Sequence, residues 1–429
     1  MRIDSLSRTV VGVISLVALC IPTAGESQEA STTTPEVFRR HANAVVKLEV
    51  VEIGAAGRAE VGSGFFASRD GRVVTNYHVV AKLVHNPERY RIDLVETDGE
   101  KLAVTVVGVD VVHDLAILDT NGRPERFFDL ASVDVAQGLR LYALGHPADL
   151  GLSIVEGTYN GLLEHTLYDR IHFTGSLNPG MSGGPTITES GEVVGINVST
   201  AGNQLSFLVP VARALNLLQS VSARDYQVPA DFLPVVGAQI REYQRQYLEP
   251  LFLDSVPTIE IGGYGLPTKP ADFFNCWGDI ISSEKEPYDI RMHNCSTDDY
   301  IFISRDQSSG IFTFSHQVLS SEKLNTFQFH SLYTGEFQSS DRYLHGREFD
   351  VTRFECDLDN VKRGSLKFRV MFCVRRYKKY DGLYDVIFKL AALGGGRSGL
   401  VSGLTMSGVS FENAQRIARD YLENISWER

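Results

Sequence analysis

The hydrophobic pattern of the chain changes character several times. Residues 10–21 are a 12-residue apolar run broken only by Gly12 and Ser15. That run is short for a bilayer span. Arg2 and Arg8 lie ahead of its body and Thr23-Ala24-Gly25 follow it, the layout of an export signal over 1–25. Residues 26–35 are Ser-, Thr- and Glu-rich and read as a flexible leader. Residues 35–46 predict a short helix with Val37, Phe38, His41 and Ala42 on one side. Beyond it, short apolar segments recur at strand length: 45–51, 64–67, 73–75, 91–95, 103–109, 116–119, 140–143, 171–173 and 193–198. Asp70-Gly71, Asp98-Gly99, Asn121-Gly122 and Ser190-Gly191 mark turns between them. Many short strands without long helices between them predict a mainly β unit, a barrel pair or a sandwich. Residues 211–221 switch to helical spacing, with Ala212, Leu215, Leu217, Leu218 and Val221 apolar, and close a first domain over 36–222.

Residues 223–270 read as a connector broken by Pro229, Pro234, Pro250, Pro257, Pro267 and Pro270 around one helix at 238–247. Strand patterns return in 271–429, at 299–304, 310–315, 366–374 and 384–391. A terminal helix follows Ser410 as N-cap, with Phe411, Ala414, Ile417, Ala418, Tyr421, Leu422 and Ile425 on one face. No internal repeat is evident.

Charge and cysteine content narrow the function classes. The net charge is −12, which disfavours a nucleic-acid binder. Outside the leading apolar run there is no stretch long enough to span a membrane after signal removal. Cys20 lies in the signal, where the bulky Leu19 before it argues against lipid attachment. Cys276, Cys295, Cys356 and Cys373 all lie in the C-terminal half and suggest two disulfides in an oxidising compartment, periplasmic or extracellular. Four cysteines allow three pairings. Proximity in sequence favours Cys276–Cys295 with Cys356–Cys373. Spacings of 18 and 16 intervening residues without a C-x2-C disfavour zinc, so no metal is expected.

Three motifs carry chemistry. Gly62-Ser63-Gly64-Phe65-Phe66 leads to Thr75-Asn76-Tyr77-His78-Val79-Val80; His113-Asp114-Leu115-Ala116 precedes an aliphatic strand; Asn178-Pro179-Gly180-Met181-Ser182-Gly183-Gly184-Pro185 follows. Acyl transfer through a serine needs a nucleophile in a permissive loop, a base beside it, a carboxylate to orient the base, and N–H groups aimed at the oxyanion. Ser182 among glycines, His78, Asp114 and the N–H groups of Gly180 and Ser182 supply that set. Each motif alone is weak; their order and local settings together are specific.

On these motifs, residues 36–221 resemble the trypsin-fold serine proteases, especially the HtrA/Deg branch. The resemblance implies a trypsin-like double β-barrel with the site in the cleft between barrels, a catalytic triad of His78, Asp114 and Ser182, and no cofactor. It also implies a specificity pocket with its floor at Ser176 and Leu177. One wall would come from Val198, Ser199, Thr200 and Ala201, and another from Ser206 onward. The absence of an acid at the floor predicts cleavage after small or aliphatic residues. Met181 departs from the Asp or Asn common before the nucleophile. No PDZ-like segment is evident, and the β-rich, disulfide-bonded C-terminal domain resembles no named family.

The expected function is therefore an exported serine endopeptidase acting on protein or peptide substrates, with homo-oligomer formation open. The alternative is a gated or inactive protease-fold scaffold whose C-terminal domain recognises a partner. Other motifs have plainer readings. Gly394-x-Gly396-x-x-Gly399 reads as a hairpin loop, because Gly403 and Gly408 forbid the helix a dinucleotide site requires. Arg375-Arg376-Tyr377-Lys378-Lys379 reads as a solvated strand edge, and His113 as a surface histidine.

Overall fold

A computed structural model describes residues 33–427 apart from 56, 97–98, 203, 249–250, 252–255, 340–343 and 345. The expected signal, Cys20 and most of the expected leader lie outside the described residues. Helix α1 (Thr34–His41) is the first element among the described residues, with Glu36 accepting the Thr33 N–H at 2.9 Å, and a short 3-10 turn then replaces the expected continuation to 46.

The first barrel is built from β1 (Val45–Glu52), β2 (Arg58–Phe66), β3 (Arg72–Thr75), β4 (Tyr90–Val95), β5 (Lys101–Asp110) and β6 (Leu115–Asp119). They close in the order β1-β2-β3-β6-β5-β4, all pairs antiparallel. Helix α2 (Tyr77–His85) follows β3. The second barrel uses β7 (Arg140–Gly145), β8 (Ser153–Leu162), β9 (Ile171–Phe173), β10 (Pro185–Ile187), β11 (Val193–Gly202) and β12 (Leu205–Pro210), closed as β10-β11-β12-β9-β8-β7. Closure gives every strand of each sheet a partner on both sides over at least part of its length. Helix α3 (Val211–Val221) ends this part with the bounds its sequence pattern predicts.

Helix α4 (Leu233–Tyr247) begins five residues before the predicted start, with Pro234 in its first turn, where a missing N–H costs nothing. The hairpin β13 (Thr258–Ile261) and β14 (Tyr264–Pro267) follows. A seven-stranded antiparallel sheet dominates the C-terminal half. Its strands are β15 (Phe274–Ile281), β16 (Asp289–Thr297), β19 (Phe312–Ser320), β20 (Glu355–Arg363), β21 (Leu366–Arg376), β22 (Tyr384–Ala392) and β23 (Ser398–Val409), ordered β15-β16-β19-β23-β22-β21-β20. A small hairpin, β17 (Ile301–Ser304) and β18 (Gln307–Ser309), stands apart from that sheet. Helix α5 (Thr326–Gln338) packs Phe329, Tyr333 and Phe337 against Leu319 and Val401. Helix α6 (Phe411–Glu423) is capped by the Ser410 hydroxyl and buries Ala414, Ile417, Ala418 and Tyr421. The two-residue β24 (Ser426–Trp427) then pairs with β14.

Both disulfides join residues directly opposite each other in the sheet, Cys276 with Cys295 and Cys356 with Cys373, the pairings that sequence proximity favours. One hydrophobic cluster runs from Leu48, Ile92 and Leu118 of the first barrel through Val236 and Ile240 of α4 to Phe312 and Leu404 of the large sheet. A second fills the seam between barrels, with Phe65, Val74 and Ile117 against Tyr142, Leu144 and Ile196. A third lies within the second barrel.

Two sequence expectations need correction. Strand β21 lies inside the sheet and Arg375 is buried there, ion-paired with Asp385 at 2.7 Å, so the basic run is not an edge, although its Arg376 and Lys378 are exposed. His113 is 9% exposed, bonded through Nδ1 to Asp110 Oδ2 at 2.7 Å and flanked by the Tyr168 and Tyr243 rings. It sits in the turn between β5 and β6, where strand alternation does not apply. The Gly394–Gly399 motif is the turn between β22 and β23, as expected.

Candidate active site

His78 occupies the first turn of α2, immediately after β3, and Asp114 ends the turn that leads into β6. Asp114 Oδ2 lies 2.6 Å from His78 Nδ1, and its Oδ1 accepts the His78 N–H at 2.8 Å. The Asp114 carbonyl accepts Asn76 Nδ2 at 2.8 Å and the Tyr77 N–H at 3.1 Å. These four bonds hold a residue whose φ is +55°, a left-handed conformation uncommon for aspartate. Asn76, at the N-cap of α2, makes no capping bond: its Nδ2 donates to the Asp114 carbonyl, and its buried Oδ1 has no partner among the described residues. Burial opposes a charge on His78, but the Asp114 charge and hydrogen bond, helped by Glu60, outweigh it and raise the imidazole pKa above its usual 6.5.

Ser182 lies in the loop between β9 and β10. Its Oγ donates to the Val198 carbonyl at 3.0 Å, and no bond to His78 forms among the described residues. Two features of the loop set the direction of its N–H groups. The Pro179 carbonyl accepts the Ala148 N–H at 2.8 Å, and the Met181 carbonyl accepts the Gly184 N–H at 3.1 Å and Asn197 Nδ2 at 3.3 Å. A trans peptide sets its N–H opposite its C=O. Anchoring those two carbonyls therefore turns the Gly180 and Ser182 N–H groups away from the anchors, and neither has an acceptor among the described residues. Gly180 and Gly183 have φ of +96° and +87°. A Cβ at Gly183 would come within 2.2 Å of the Ser63 carbonyl, so only glycine fits there.

Ser63 ties the loop to the first barrel. Its N–H donates to the Ser182 carbonyl at 2.8 Å, its Oγ donates to the Gly180 carbonyl at 2.7 Å, and its own carbonyl accepts Thr75 Oγ1 at 2.7 Å. Met181, the departure noted in the sequence, is fully buried against Leu141, Ile171 and Leu208, and its N–H bonds within the loop to the Asn178 carbonyl at 3.0 Å. Sequence reasoning missed the anchoring roles of Ser63 and Asn197. Gly62-Ser63-Gly64 carried the only signal, a polar residue between glycines ahead of the histidine strand.

The expected pocket residues separate into groups. Val198 and Thr200 line a cleft of about 1610 Å³ together with His78 and Asp114. Ser176 is exposed on the preceding loop. Leu177 and Ser206 are buried in the second barrel, joined by the Leu177 N–H to Ser206 Oγ at 3.2 Å. The side chains of Ser199 and Ala201 lie outside the described residues. The cleft has a further boundary that the sequence did not announce, with Asp299, Tyr300 and Phe302 of the C-terminal half. Among the described residues the metal-like grouping is Cys276, His293 and Cys295, whose two sulfurs are bonded to each other.

The trypsin-like peptidase domain family matches residues 62–196. The N-terminal segment is an HtrA-like, trypsin-fold serine protease domain. The chain is 31% identical over 185 residues to a probable periplasmic DegP-like serine endoprotease of Chlamydia trachomatis, covering 41% of this chain and 36% of that one. It is 29% identical over 238 residues to the mitochondrial serine protease HTRA2 of Bos taurus, covering 53% and 47%. The chain thus spans less than half the length of these two curated relatives. Among solved structures, the serine endoprotease from Yersinia pestis aligns with a TM-score of 0.39 and 26% identity over 45% of this chain and 68% of that one.

Proposed function

We propose that this HtrA-like protein is an exported serine endopeptidase that hydrolyses protein or peptide substrates through an acyl-enzyme. The observation that carries the reading is the Asp114-held His78, together with a Ser182 loop whose Gly180 and Ser182 N–H groups have no acceptor among the described residues. In this mechanism Ser182 Oγ leaves the Val198 carbonyl and passes its proton to His78 Nε2 as it attacks the scissile carbonyl. Asp114 stabilises the imidazolium through Nδ1. The oxyanion takes the Gly180 and Ser182 N–H groups, which need no reorganisation to receive it. His78 protonates the leaving amine, and a water molecule then repeats the cycle on the ester.

Two lines support the compartment. The leading apolar run has the length of a signal, and the two disulfides suit an oxidising environment. No helix among the described residues is long and apolar enough to cross a membrane. A preference for small or aliphatic residues at the cleaved position follows from the lack of an acid at Ser176 and the presence of Val198 at the cleft. A peptide library with dominant cleavage after Arg or Lys would contradict that preference.

The Ser182 Oγ bond to Val198 favours a second reading, a gated site in which the nucleophile awaits substrate. Catalytic hydrogen bonds are often loose before substrate binds. A fluorophosphonate probe separates the two. Labelling of the folded protein that Ser182→Ala and His78→Ala both abolish supports the active protease. An unlabelled folded wild type supports the gated site.

A further inference from the structure

The wall of the cleft beside His78 comes from outside the protease segment. Strand β17 alternates: Ile301 and Ile303 are fully buried, while Phe302 and Ser304 border the cleft. The Phe302 ring meets the His78 imidazole edge to face, with centroids 6.2 Å apart, and the Tyr77 ring at 6.4 Å. Contacts to the barrels hold the strand at both ends. Ahead of it, Asp299 pairs with Arg170 at 2.9 Å and accepts the Leu167 N–H at 3.2 Å, and the Tyr168 hydroxyl donates to the Tyr300 carbonyl at 3.2 Å. At its far end, the Ile303 carbonyl accepts the Tyr77 hydroxyl at 3.1 Å and lies 3.1 Å from His85 Nε2. A ring carried on a strand fastened at both ends is a shaped wall, not a loose lid.

A substrate that presents its carbonyl to Ser182 Oγ must pass close to Val198, whose carbonyl is 3.0 Å from that oxygen. The edge of β11 is open there. Its partner β10 pairs only as far as Ile196, while β12 covers the other edge to Gly202. An extended peptide added to that edge sends alternate side chains to opposite walls. One wall is the second barrel. The other is His78 with Phe302.

Building on the protease reading above, we infer that Phe302 of the C-terminal half is a specificity-determining residue that selects the substrate residue immediately before the cleaved one. With an aromatic edge already against the imidazole, that position accepts small side chains and excludes aromatic and long ones. The C-terminal half thus forms part of the substrate cleft itself, and the substrates it favours are extended polypeptide segments with a small residue at that position.

The test uses the full-length chain and a peptide series that varies only this position, from Ala to Leu to Phe. The ratio of kcat/KM for Phe over Ala is measured for wild type, Phe302→Ala and Phe302→Trp, with fluorophosphonate labelling of each recorded alongside. The ratio rises about tenfold or more in Phe302→Ala, the usual scale for reshaping an apolar subsite, and falls in Phe302→Trp. Opposite shifts in the two variants are not the result of general loosening. Should Phe302→Ala fold poorly, Phe302→Leu replaces it, with a smaller rise. An unchanged ratio in variants that still take the probe overturns the wall and leaves the protease standing. A folded wild type that takes no probe overturns both.

Discussion

The two barrels share a topology and differ in how they are finished. The second barrel carries Ser182 and fills its interior from its own strands, with Leu141, Ile171, Phe173, Val194 and Leu208 in one cluster. The first barrel carries His78 and Asp114, and its apolar cluster does not end at its own strands. It continues through α4 into the C-terminal sheet. Polar contacts follow the same route. Gln239 of α4 donates to the Val109 carbonyl at 2.7 Å and accepts the Val111 N–H at 2.9 Å, and Gln244 donates to the Gly408 carbonyl at 2.6 Å. Ser182, the proposed nucleophile, thus rests on a barrel with a core of its own beside the seam it shares with the first. His78 and Asp114, the proposed base and its carboxylate, rest on one completed by a distant part of the chain.

Cutting the chain after Val221 tests this contrast most severely. The truncation exposes the face around Tyr77, Val111 and Val112, which are buried in the shared cluster. The expected result is loss of cooperative unfolding and of soluble yield, read by thermal denaturation. A truncated chain that unfolds as sharply as the full one would show the first barrel to be self-sufficient after all.

Asn197→Ala probes the nucleophile side without touching the seam. Asn197 is fully buried, donates to the Leu144 and Met181 carbonyls and accepts Thr186 Oγ1 at 2.6 Å. Its loss removes one of the two anchors, Asn197 Nδ2 and the Gly184 N–H, on the peptide that carries the Ser182 N–H. A fall in kcat approaching the 10²–10³ range of a lost oxyanion donor is expected, with KM little changed. A change in KM alone would assign Asn197 to substrate binding.

The base side responds to acid. His85 sits in the seam within 3.2 Å of the Tyr77 hydroxyl, 3.0 Å of the Tyr380 hydroxyl and 3.1 Å of the Ile303 carbonyl. Burial, with help from Lys379, lowers its pKa from 6.5 to about 4. The unfolded chain therefore binds the proton more readily. The contribution is whole above pH 6.5 and is lost as pH falls toward 4. The melting temperature is expected to drop across that window, and less steeply in His85→Gln. The smallest effect is a shift in the activity profile. His78 acts as a base only when neutral, and its pKa is raised, so the acid limb of kcat/KM should centre above pH 6.5. In Asp114→Asn, burial is opposed only by the weaker pull of Glu60, and the limb of the residual activity should move to lower pH. A limb that stays in place would detach it from this pair.

Local features were the legible ones. The three motifs were legible as a set because each lies within a few residues of a strand end, and the structure joins two of them through the His78–Asp114 bond. Helix α3 was exact because its apolar spacing is helical and turn residues follow it. The disulfides paired neighbours because each joins adjacent strands of one meander. Strand β8 escaped notice because it is mostly half-buried and mixes polar with apolar residues. Arg375 misled because a buried ion pair has the same sequence as an exposed one until Asp385 is placed beside it. Phe302 gave no local signal at all. Its meaning depends on His78, and nothing in the spacing of either residue encodes their approach.

The bond from Tyr77 to the Ile303 carbonyl spans 226 positions. During synthesis from the N-terminus, His78, Asp114 and Ser182 have all emerged while the partner that covers Tyr77 is still unmade. Contacts so remote in sequence are also among the slowest to form. The newborn protease domain therefore passes through an interval with its nucleophile present and its cleft unfinished. On the reading above, its selectivity is acquired late, on the arrival of the part of the chain that supplies Phe302 and no member of the proposed triad.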